Sequence, residues 1–199
     1  NTNGYGIWLD ATAGTSLNHN ISGNTINTNG TSGYGIYLKT ISNSTIQSNA
    51  ITTNSSNTDN IYIDSSKDNI ITSNTLKFSA RDGIRMGNFS AGAMSSNNTI
   101  ISNNITNATN GISILMNSTR PFNLNNTIEN NNITFTVNAI LIQNSSNINI
   151  TSGTIRNSTN GIVLFNSLRV NTTNITFISN TYDFNITNSS SLTSINNTF

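Results

Sequence analysis

The chain has 199 residues, of which only 8% are charged, and its formal net charge is +1. A nucleic-acid-binding protein needs a basic stripe, which this charge balance excludes. Cysteine is absent, which excludes disulfides and thiolate metal sites, and no stretch approaches the roughly 18 apolar residues of a membrane-spanning helix.

A short repeat fills the chain and is most regular over residues 97–115, where the sequence reads N-N-T-I-I-S-N-N-I-T-N-A-T-N-G-I-S-I-L. Its apolar residues alternate over runs that are too short and too β-branched for helices, so each run predicts a strand. Stacking one copy on the next buries the apolar residues as continuous columns. The sequence therefore predicts an all-β fold, a single-stranded right-handed parallel β-helix (β-solenoid) of about eight rungs, forming one domain over residues 1–199.

The predicted strands recur in chain order as two alternating elements. The G-I-x-L element gives the inward pairs Ile7/Leu9, Ile36/Leu38, Ile61/Ile63, Ile84/Met86, Ile112/Ile114, Ile140/Ile142, Ile162/Leu164 and a degenerate Tyr182/Phe184. The second element gives Ile21/Ile26, Ile46/Ile51, Ile71/Leu76, Ile100/Ile105, Ile128/Ile133, Ile150/Ile155 and Val170/Ile175. Each second-element pair flanks a predicted turn.

Asparagine also returns in register. One column comprises Asn24, Asn49, Asn74, Asn103 and Asn131, with Gly153 in the sixth copy. Asn and Gly both tolerate a left-handed backbone, so these positions predict tight turns. A preceding column comprises Asn18, Asn43, Asp68, Asn97, Asn125 and Asn147. Stacked amides are expected to form hydrogen bonds along the axis, as they do in cross-β stacks.

The pattern N-x-I-x-x-N-x-I followed by G-I-x-L resembles the parallel β-helix repeat of the pectin-lyase-like superfamily. It is most similar to the Asn-rich repeats of NosD-type periplasmic proteins and of archaeal and bacterial surface proteins. The resemblance covers nearly the whole chain and implies the fold. It implies no single activity, because the superfamily includes lyases, hydrolases, epimerases, adhesins and structural rods, and the sequence matches no catalytic motif of those enzymes.

Residues between and after the inward pair of G-I-x-L should point outward. The predicted interaction face is the apolar-rich set Trp8, Tyr37, Tyr62, Arg85, Leu115, Leu141, Val163 and Phe165. Three interpretations stay open for this face: contact with another protein, stacking against carbohydrate, or an aromatic ladder that only stiffens the sheet.

The third and fourth rungs carry most of the charge. Asp10, Lys39 and Asp64 share one outward column, which suggests either a pair of carboxylates for glycoside cleavage or a simple charge ladder. The charge ladder is the simpler interpretation, and we expect no catalytic residues. We also expect no cofactor and no metal site, because His19 and the three methionines form no ligand constellation, although NosD-type relatives are linked to copper delivery.

Three turns that follow G-I-x-L are expanded: residues 11–17, 88–96 and 117–123. Their apolar tips, Phe89, Met94 and Phe122, are predicted loop contacts for a partner, with caps folded over the sheet as the alternative.

The sequence contains about nineteen N-x-S/T sequons, a modest excess over chance. Those predicted in outer turns are the glycosylation candidates Asn29, Asn54, Asn88, Asn107, Asn117, Asn144, Asn157 and Asn188. Asn43, Asn97 and Asn125 are expected to be buried in turns and to be poor acceptors. Glycans would keep so uncharged a rod soluble, which favours an extracellular or cell-surface location.

Neither end of the chain has a capping element, so we expect a segment or subunit of a longer assembly. The leading hypothesis is a structural, non-enzymatic extracellular β-solenoid, a glycosylated building block of a surface layer, sheath, fibre or adhesin. Its expected partners are copies of itself, end to end and laterally, with glycans as further partners. The alternative is a protein that binds or cleaves polysaccharide. Ice or mineral binding is a weaker option, because no outward column is consistently threonine.

Overall fold

A computed structural model describes residues 4–12, 16–88, 94–116 and 123–199, without the side chains of Asn88 and Asn123. The strands over these ranges are β1 (Ile7–Asp10), β2 (Ser16–Leu17), β3 (Asn20–Ser22), β4 (Thr25–Thr28), β5 (Ile36–Lys39), β6 (Ile41–Ser42), β7 (Thr45–Gln47), β8 (Ala50–Thr53), β9 (Ile61–Asp64), β10 (Ile70–Thr72), β11 (Thr75–Lys77), β12 (Asp82–Asn88), β13 (Thr99–Ile101), β14 (Asn104–Thr106), β15 (Asn110–Met116), β16 (Asn123–Leu124), β17 (Thr127–Thr134), β18 (Asn138–Gln143), β19 (Ser145–Arg156), β20 (Asn160–Phe165), β21 (Leu168–Thr173), β22 (Thr176–Ile178), β23 (Tyr182–Thr187) and β24 (Ser190–Ile195). The described residues contain no helix long and apolar enough to cross a membrane.

The chain winds as a parallel β-solenoid, which confirms the predicted architecture. One eight-stranded sheet has the order β1-β5-β9-β12-β15-β18-β20-β23, so each strand pairs with its counterpart on the next coil. A second sheet has fourteen strands and includes the long strands β17 and β19, and a third sheet consists of β2 and β6. All of the strand pairs are parallel, and each coil is completed by the coils above and below it.

The core is the column system predicted from the sequence. Ile36, Ile61, Ile84 and Ile112 succeed one another on β5, β9, β12 and β15, and each is fully buried. The glycine before this column keeps the coils close. A Cβ on Gly111 would lie 2.5 Å from the carbonyl oxygen of Ala139 and 2.5 Å from an Ile133 methyl carbon. Glycine is therefore required there by close approach rather than by backbone conformation.

Register differs from the prediction in the last coils. On β23 the inward pair is Phe184 and Ile186, which align with Ile162 and Leu164, so the predicted pair Tyr182/Phe184 was shifted by two residues. The same shift affects the second element, because Ile150 and Ile155 align with Thr172 and Phe177 instead of Val170 and Ile175. Val170 and Ile175 are nevertheless buried, since the corner residues of this coil also point inward.

The first asparagine column is a continuous buried ladder. Asn49 donates from its side-chain amide to Asn74 Oδ1 at 3.0 Å, Asn74 to Asn103 at 3.0 Å, and Asn103 to Asn131 at 3.1 Å. Each amide also donates to a backbone carbonyl of the preceding coil, as Asn74 does to Ile46 at 3.0 Å. The predicted stacking is confirmed.

The left-handed backbone, however, falls one residue before this ladder. Ser48, Ser73 and Ser102 have φ values of 54°, 56° and 56°, whereas Asn49 and Asn74 have no positive φ. A serine thus takes the strained turn position, and the asparagine that follows turns its amide inward.

The second predicted asparagine column is in register. Asn97 donates to Asp68 Oδ1 at 3.2 Å and Asn147 to Asn125 Oδ1 at 3.1 Å, but the side chains of this column are exposed or partly exposed, and the column runs beside a buried ladder. Asn43, Asn97 and Asn125 have left-handed φ and exposed side chains, so the expectation that they are buried was wrong. The buried ladder consists of the next residues. Ser44 N donates to Asn69 Oδ1, Asn69 Nδ2 to Asn98 Oδ1, and Asn98 Nδ2 to Asn126 Oδ1. A third ladder, through Asn110, Asn138 and Asn160, borders the eight-stranded sheet.

Candidate functional site

The predicted interaction face forms two columns on the eight-stranded sheet, in the register expected from the sequence. The first column is Trp8, Tyr37, Tyr62, Arg85, Ser113, Leu141 and Val163. In the second column Leu115, Gln143 and Phe165 succeed one another. The columns pair as predicted, but their exposure varies along the rod.

The middle of the face is buried, which corrects the expectation of a uniformly exposed stripe. Tyr37, Tyr62 and Arg85 are 9%, 7% and 6% exposed. Trp8 is 48% exposed and Phe165 is 40% exposed. Leu115, Leu141 and Val163 are partly buried. The two apolar ends of the face therefore remain available to a partner, whereas its centre is packed.

Packing between aromatic rings explains the burial at the first coils. The ring centroids of Tyr37 and Tyr62 lie 5.1 Å apart, and the Tyr34 ring lies 5.4 Å from Tyr37 and 5.3 Å from Tyr62. Tyr5 and Trp8 extend the cluster with centroids 4.3 Å apart in an edge-on arrangement. Burial, and next the Asp64 carboxylate, raise the pKa of the Tyr37 hydroxyl far above its ordinary value. This cluster stiffens the sheet and leaves the Trp8 ring at its outer end.

Two carboxylates and two guanidiniums pack next to these rings on the third and fourth coils. Arg81 binds Asp59 through both nitrogens of its fork, with Nε–Oδ1 at 2.9 Å and Nη2–Oδ2 at 2.5 Å. Arg85 Nη1 lies 4.0 Å from Asp59 Oδ2 and 3.6 Å from Asp82 Oδ2. The Asp59 and Asp82 side chains are 0% and 1% exposed, so the charges are neutralised inside the fold.

The pKa of the Asp59 carboxyl nevertheless differs from its ordinary value. Burial of the side chain raises the pKa of the carboxyl to about 6, and the hydrogen bond from Arg81 opposes this rise. A perturbed pKa is a common property of catalytic acids. Here the side chain is completely covered, so the carboxyl does not face a position that a substrate could occupy.

The column Asp10, Lys39 and Asp64 is in register as predicted. Lys39 Nζ lies 3.6 Å from Asp10 Oδ2, and Asp10 also accepts hydrogen bonds from Thr12. These Thr12 hydrogen bonds are the main cause that lowers the pKa of Asp10. Asp64 is 5% exposed and accepts from the Tyr37 hydroxyl at 3.1 Å. The geometry is that of one ion pair, Asp10–Lys39, followed in the column by an enclosed carboxylate that a tyrosine hydroxyl binds.

An open cleft of about 300 Å³ lies beside the aromatic cluster and is lined by Tyr34, Tyr62, Arg81 and Arg85. The Arg81 side chain is 33% exposed and is more accessible than that of Arg85, which is 8% exposed. The guanidinium carbons of Arg81 and Arg85 lie 5.9 Å and 5.3 Å from the ring centroids of Tyr34 and Tyr62. Aromatic faces next to guanidiniums provide stacking and hydrogen-bond donors in one place.

A different edge carries exposed aromatic residues that the sequence did not predict as a site. Phe78 and Phe135 follow β11 and β17 and are 50% and 57% exposed. Both have left-handed backbone, with φ of 53° and 56°. The signal was present, since each Phe follows a second-element strand at the place where Asn107 stands in the intervening coil.

The glycosylation candidates differ in how far their side chains are exposed. Asn29, Asn54, Asn107, Asn157 and Asn188 have exposed side chains. Asn144 does not lie in an exposed outer turn as expected: it is 3% exposed, donates to the Met116 carbonyl at 2.7 Å and accepts from Asn166 at 2.6 Å. Asn117 lies outside the described residues, and so does the side chain of Asn88.

The predicted loop contacts fall mostly outside the described ranges. Met94 is described and partly buried, whereas Phe89 and Phe122 lie outside.

His19 contacts the Ser16 hydroxyl through Nε2. No group of three or more His, Asp or Glu side chains that could hold a metal ion occurs within the part of the chain that the structure describes.

The fold of this chain is similar to that of a solved protein structure. The chain resembles the A-module of mannuronan C-5 epimerase AlgE6 from Azotobacter vinelandii, with a TM-score of 0.57 and 13% sequence identity. The match covers 86% of this chain and 44% of the epimerase chain. At this identity the likeness concerns the fold. No curated protein sequence matches the chain significantly.

The family comparison is more direct. The family model of the right-handed β-helix region matches residues 1–133, two thirds of the chain. The right-handed coiling predicted from the sequence is therefore confirmed. The chain therefore belongs to the right-handed β-helix family.

Proposed function

We propose that the protein is a non-catalytic extracellular β-solenoid, a glycosylated building block of a surface layer, sheath, fibre or adhesin. The observation that carries this proposal is the internal use of the charged groups on the third and fourth coils. General acid–base catalysis requires a titrating group within reach of the substrate. Asp59 and Asp82 instead pair with Arg81 and Arg85, and the two carboxylate side chains are 0% and 1% exposed.

The low charge supports contact between copies. A net charge far from zero keeps proteins apart by repulsion, whereas this chain of 199 residues has a net charge of +1. Leu141, Val163 and Phe165 lie on adjacent coils at the far end of the interaction face and form the apolar patch for a lateral contact with a second copy. One such patch is small, but an array that repeats it many times gains avidity.

Self-association is tested by multi-angle light scattering over a range of concentrations. The unaltered chain should gain mass with concentration, and Val163→Lys should reduce this gain. Asn27→Lys, an exposed substitution on another face, is the matched control. A monomer at every concentration would contradict the assembly part of the proposal.

Polysaccharide binding is the second candidate function, and two features favour it: the half-exposed Trp8 at the outer end of the aromatic cluster, and the cleft lined by Tyr34, Tyr62, Arg81 and Arg85. The structural neighbour is named as an enzyme that acts on mannuronan, which adds support for a carbohydrate ligand. Glycan-array binding should decrease about fivefold or more in Trp8→Ala and in Tyr34→Ala, since stacking against aromatic rings is worth about 1 kcal/mol or more per ring. Tyr182→Ala, an exposed ring at the other end, should bind normally. Binding that survives both substitutions removes this site from consideration.

A further inference from the structure

One turn column of the solenoid alternates aromatic and amide side chains. The backbone N–H of Phe78 donates to Thr106 O, that of Asn107 to Thr134 O, and that of Phe135 to Arg156 O. Since the strands that precede these residues are paired coil by coil, Phe78, Asn107 and Phe135 occupy equivalent positions on three consecutive coils. The next two coils carry Asn157 and Ser179 there, and all five residues have left-handed φ between 52° and 56°.

Folding alone does not account for the two phenylalanines. A left-handed backbone costs a non-glycine residue roughly 1–2 kcal/mol, and asparagine tolerates it better than phenylalanine. Core burial offsets little of this cost, because the two residues are 50% and 57% exposed. A strained and exposed aromatic pair on one edge is therefore a candidate contact site.

The spacing of the pair fits a flat ligand bound at Asn107. Paired strands are ~4.8 Å apart, so the backbones of Phe78 and Phe135, two coils apart, are separated by ~10 Å. A ring stacked at van der Waals distance, ~4 Å, from each of two aromatic planes needs ~8 Å between those planes, so a separation of ~10 Å admits one pyranose ring. Sugar rings present C–H faces that pack against aromatic side chains.

Asn107 has the chemistry to hold such a ring covalently. It opens the sequon Asn107-Ala108-Thr109, its side chain is exposed, and the Thr109 hydroxyl donates to Ala80 O at 2.8 Å. The residue on either side of it in the column is an exposed phenylalanine.

We propose that Asn107 carries an N-linked saccharide whose first sugar packs between Phe78 and Phe135. This inference rests on the proposed extracellular, glycosylated function and specifies one of its sites. In the transfer step, Asn107 Nδ2 forms a bond with the anomeric carbon of a saccharide carried on a lipid pyrophosphate. The bond from that carbon to the phosphate oxygen breaks, the lipid pyrophosphate leaves with the electron pair, and Nδ2 releases one proton to a base of the transferase.

Two other sequons act as internal controls. Asn157 has the same left-handed backbone and an exposed side chain, but its column neighbours are Phe135 and Ser179. Asn54 is exposed and has no positive φ, and it lies outside this aromatic column. A sugar on Asn107 should therefore be held by two rings, one on Asn157 by a single ring, and one on Asn54 by neither.

The first experiment expresses the full chain in a secretory host that N-glycosylates and measures occupancy by glycopeptide mass spectrometry. Asn107 should be occupied. Under native conditions, removal of its glycan by a peptide N-glycosidase should be at least several-fold slower than removal at Asn54. Vacant Asn107 with occupied Asn54 would overturn this inference and leave the proposed function standing. A complete lack of glycans at all exposed sequons would overturn the glycosylated function as well.

A second experiment tests the packing. Loss of the glycan in Asn107→Gln should lower Tm by about 2–4 °C, the size of change that a modest contact produces in a domain of this length. The same loss should have no effect on Tm in a background carrying Phe78→Ser and Phe135→Ser. An equal decrease of Tm in both backgrounds would overturn the packing. Equal rates of deglycosylation at Asn107 and Asn54 would also overturn it, and that comparison is made on the unaltered chain.

Discussion

Asn74 Oδ1 accepts two hydrogen bonds from Asn49 on the preceding coil, one from its backbone N–H at 2.9 Å and one from its side-chain amide at 3.0 Å. Asn74 in turn donates to Asn103 Oδ1 and to the Ile46 carbonyl. Each buried asparagine therefore satisfies backbone groups that a turn would otherwise leave without partners. This relationship, repeated from coil to coil, fixes the corner of the solenoid.

Replacing Asn74 by alanine should lower the free energy of unfolding by about 2–4 kcal/mol, because the Ile46 carbonyl and the Asn49 N–H would lose their buried partner. Urea unfolding measures the change. Asn27→Ala, at an exposed position of β4, should differ from the unaltered chain by less than about 0.5 kcal/mol. Equal effects of the two substitutions would mean that the ladder does not stabilise the fold.

Stability should decrease as the pH rises from about 4 to about 6. The raised pKa of Asp59 means that the folded state binds more protons than the unfolded state in this window, so the free energy of unfolding decreases with pH, by at most about 1.4 kcal/mol per pH unit. Asp10, with its lowered pKa, acts in the opposite direction and at lower pH. Urea unfolding at a series of pH values should show the decrease in the unaltered chain and its loss in Asp59→Asn. An unchanged pH profile in that variant would show that Asp59 ionises normally.

Sequon occupancy should follow burial rather than sequence position. In a glycosylating host, Asn144 should stay vacant in the folded protein, because its amide is enclosed between Met116 and Asn166. The exposed Asn43, Asn97 and Asn125 should be competent acceptors. Glycopeptide mass spectrometry distinguishes the sites, and full occupancy of Asn144 would contradict its buried position.

The exposed and buried phenylalanines should differ sharply in their contribution to stability. Phe177 is 3% exposed and stacks on Phe184 and Phe199 with centroids 5.2 Å and 5.4 Å apart, so Phe177→Ala should cost about 3–5 kcal/mol. Phe135→Ala in the unglycosylated chain should cost less than about 1 kcal/mol. Thermal or urea unfolding provides the comparison. A large loss in Phe135→Ala would assign that ring to folding instead of to ligand contact.

The repeat allowed the fold to be predicted because two independent periodicities agree. Isoleucine recurs where a side chain must point inward, and Asn49, Asn74 and Asn103 recur where an amide must bridge coils. When the local pattern of residues and the stacking of the coils require the same register, the sequence alone is enough to predict the fold. Among the predicted core columns the register failed in the last coils, where Thr172 replaces an isoleucine in the core and removes the marker of register.

The candidate site was harder to predict, because exposure depends on side-chain packing across coils. Tyr37 and Tyr62 point outward from the sheet as expected, but Tyr34 from the turn before β5 lies over them and covers them. The second buried asparagine ladder, one residue after the predicted column, was missed for a related reason. Pairs such as Asn97 and Asn98 offer two amides in succession, and only backbone conformation decides which one turns inward.

The central functional claim, a glycosylated scaffold without catalysis, is tested most directly by electron cryo-microscopy of the protein in its native material. The account predicts copies in regular contact, with additional density extending from Asn107 between Phe78 and Phe135. Isolated monomers with bare Asn107 side chains, and polysaccharide bound in the cleft beside Tyr34 and Arg81, would contradict it.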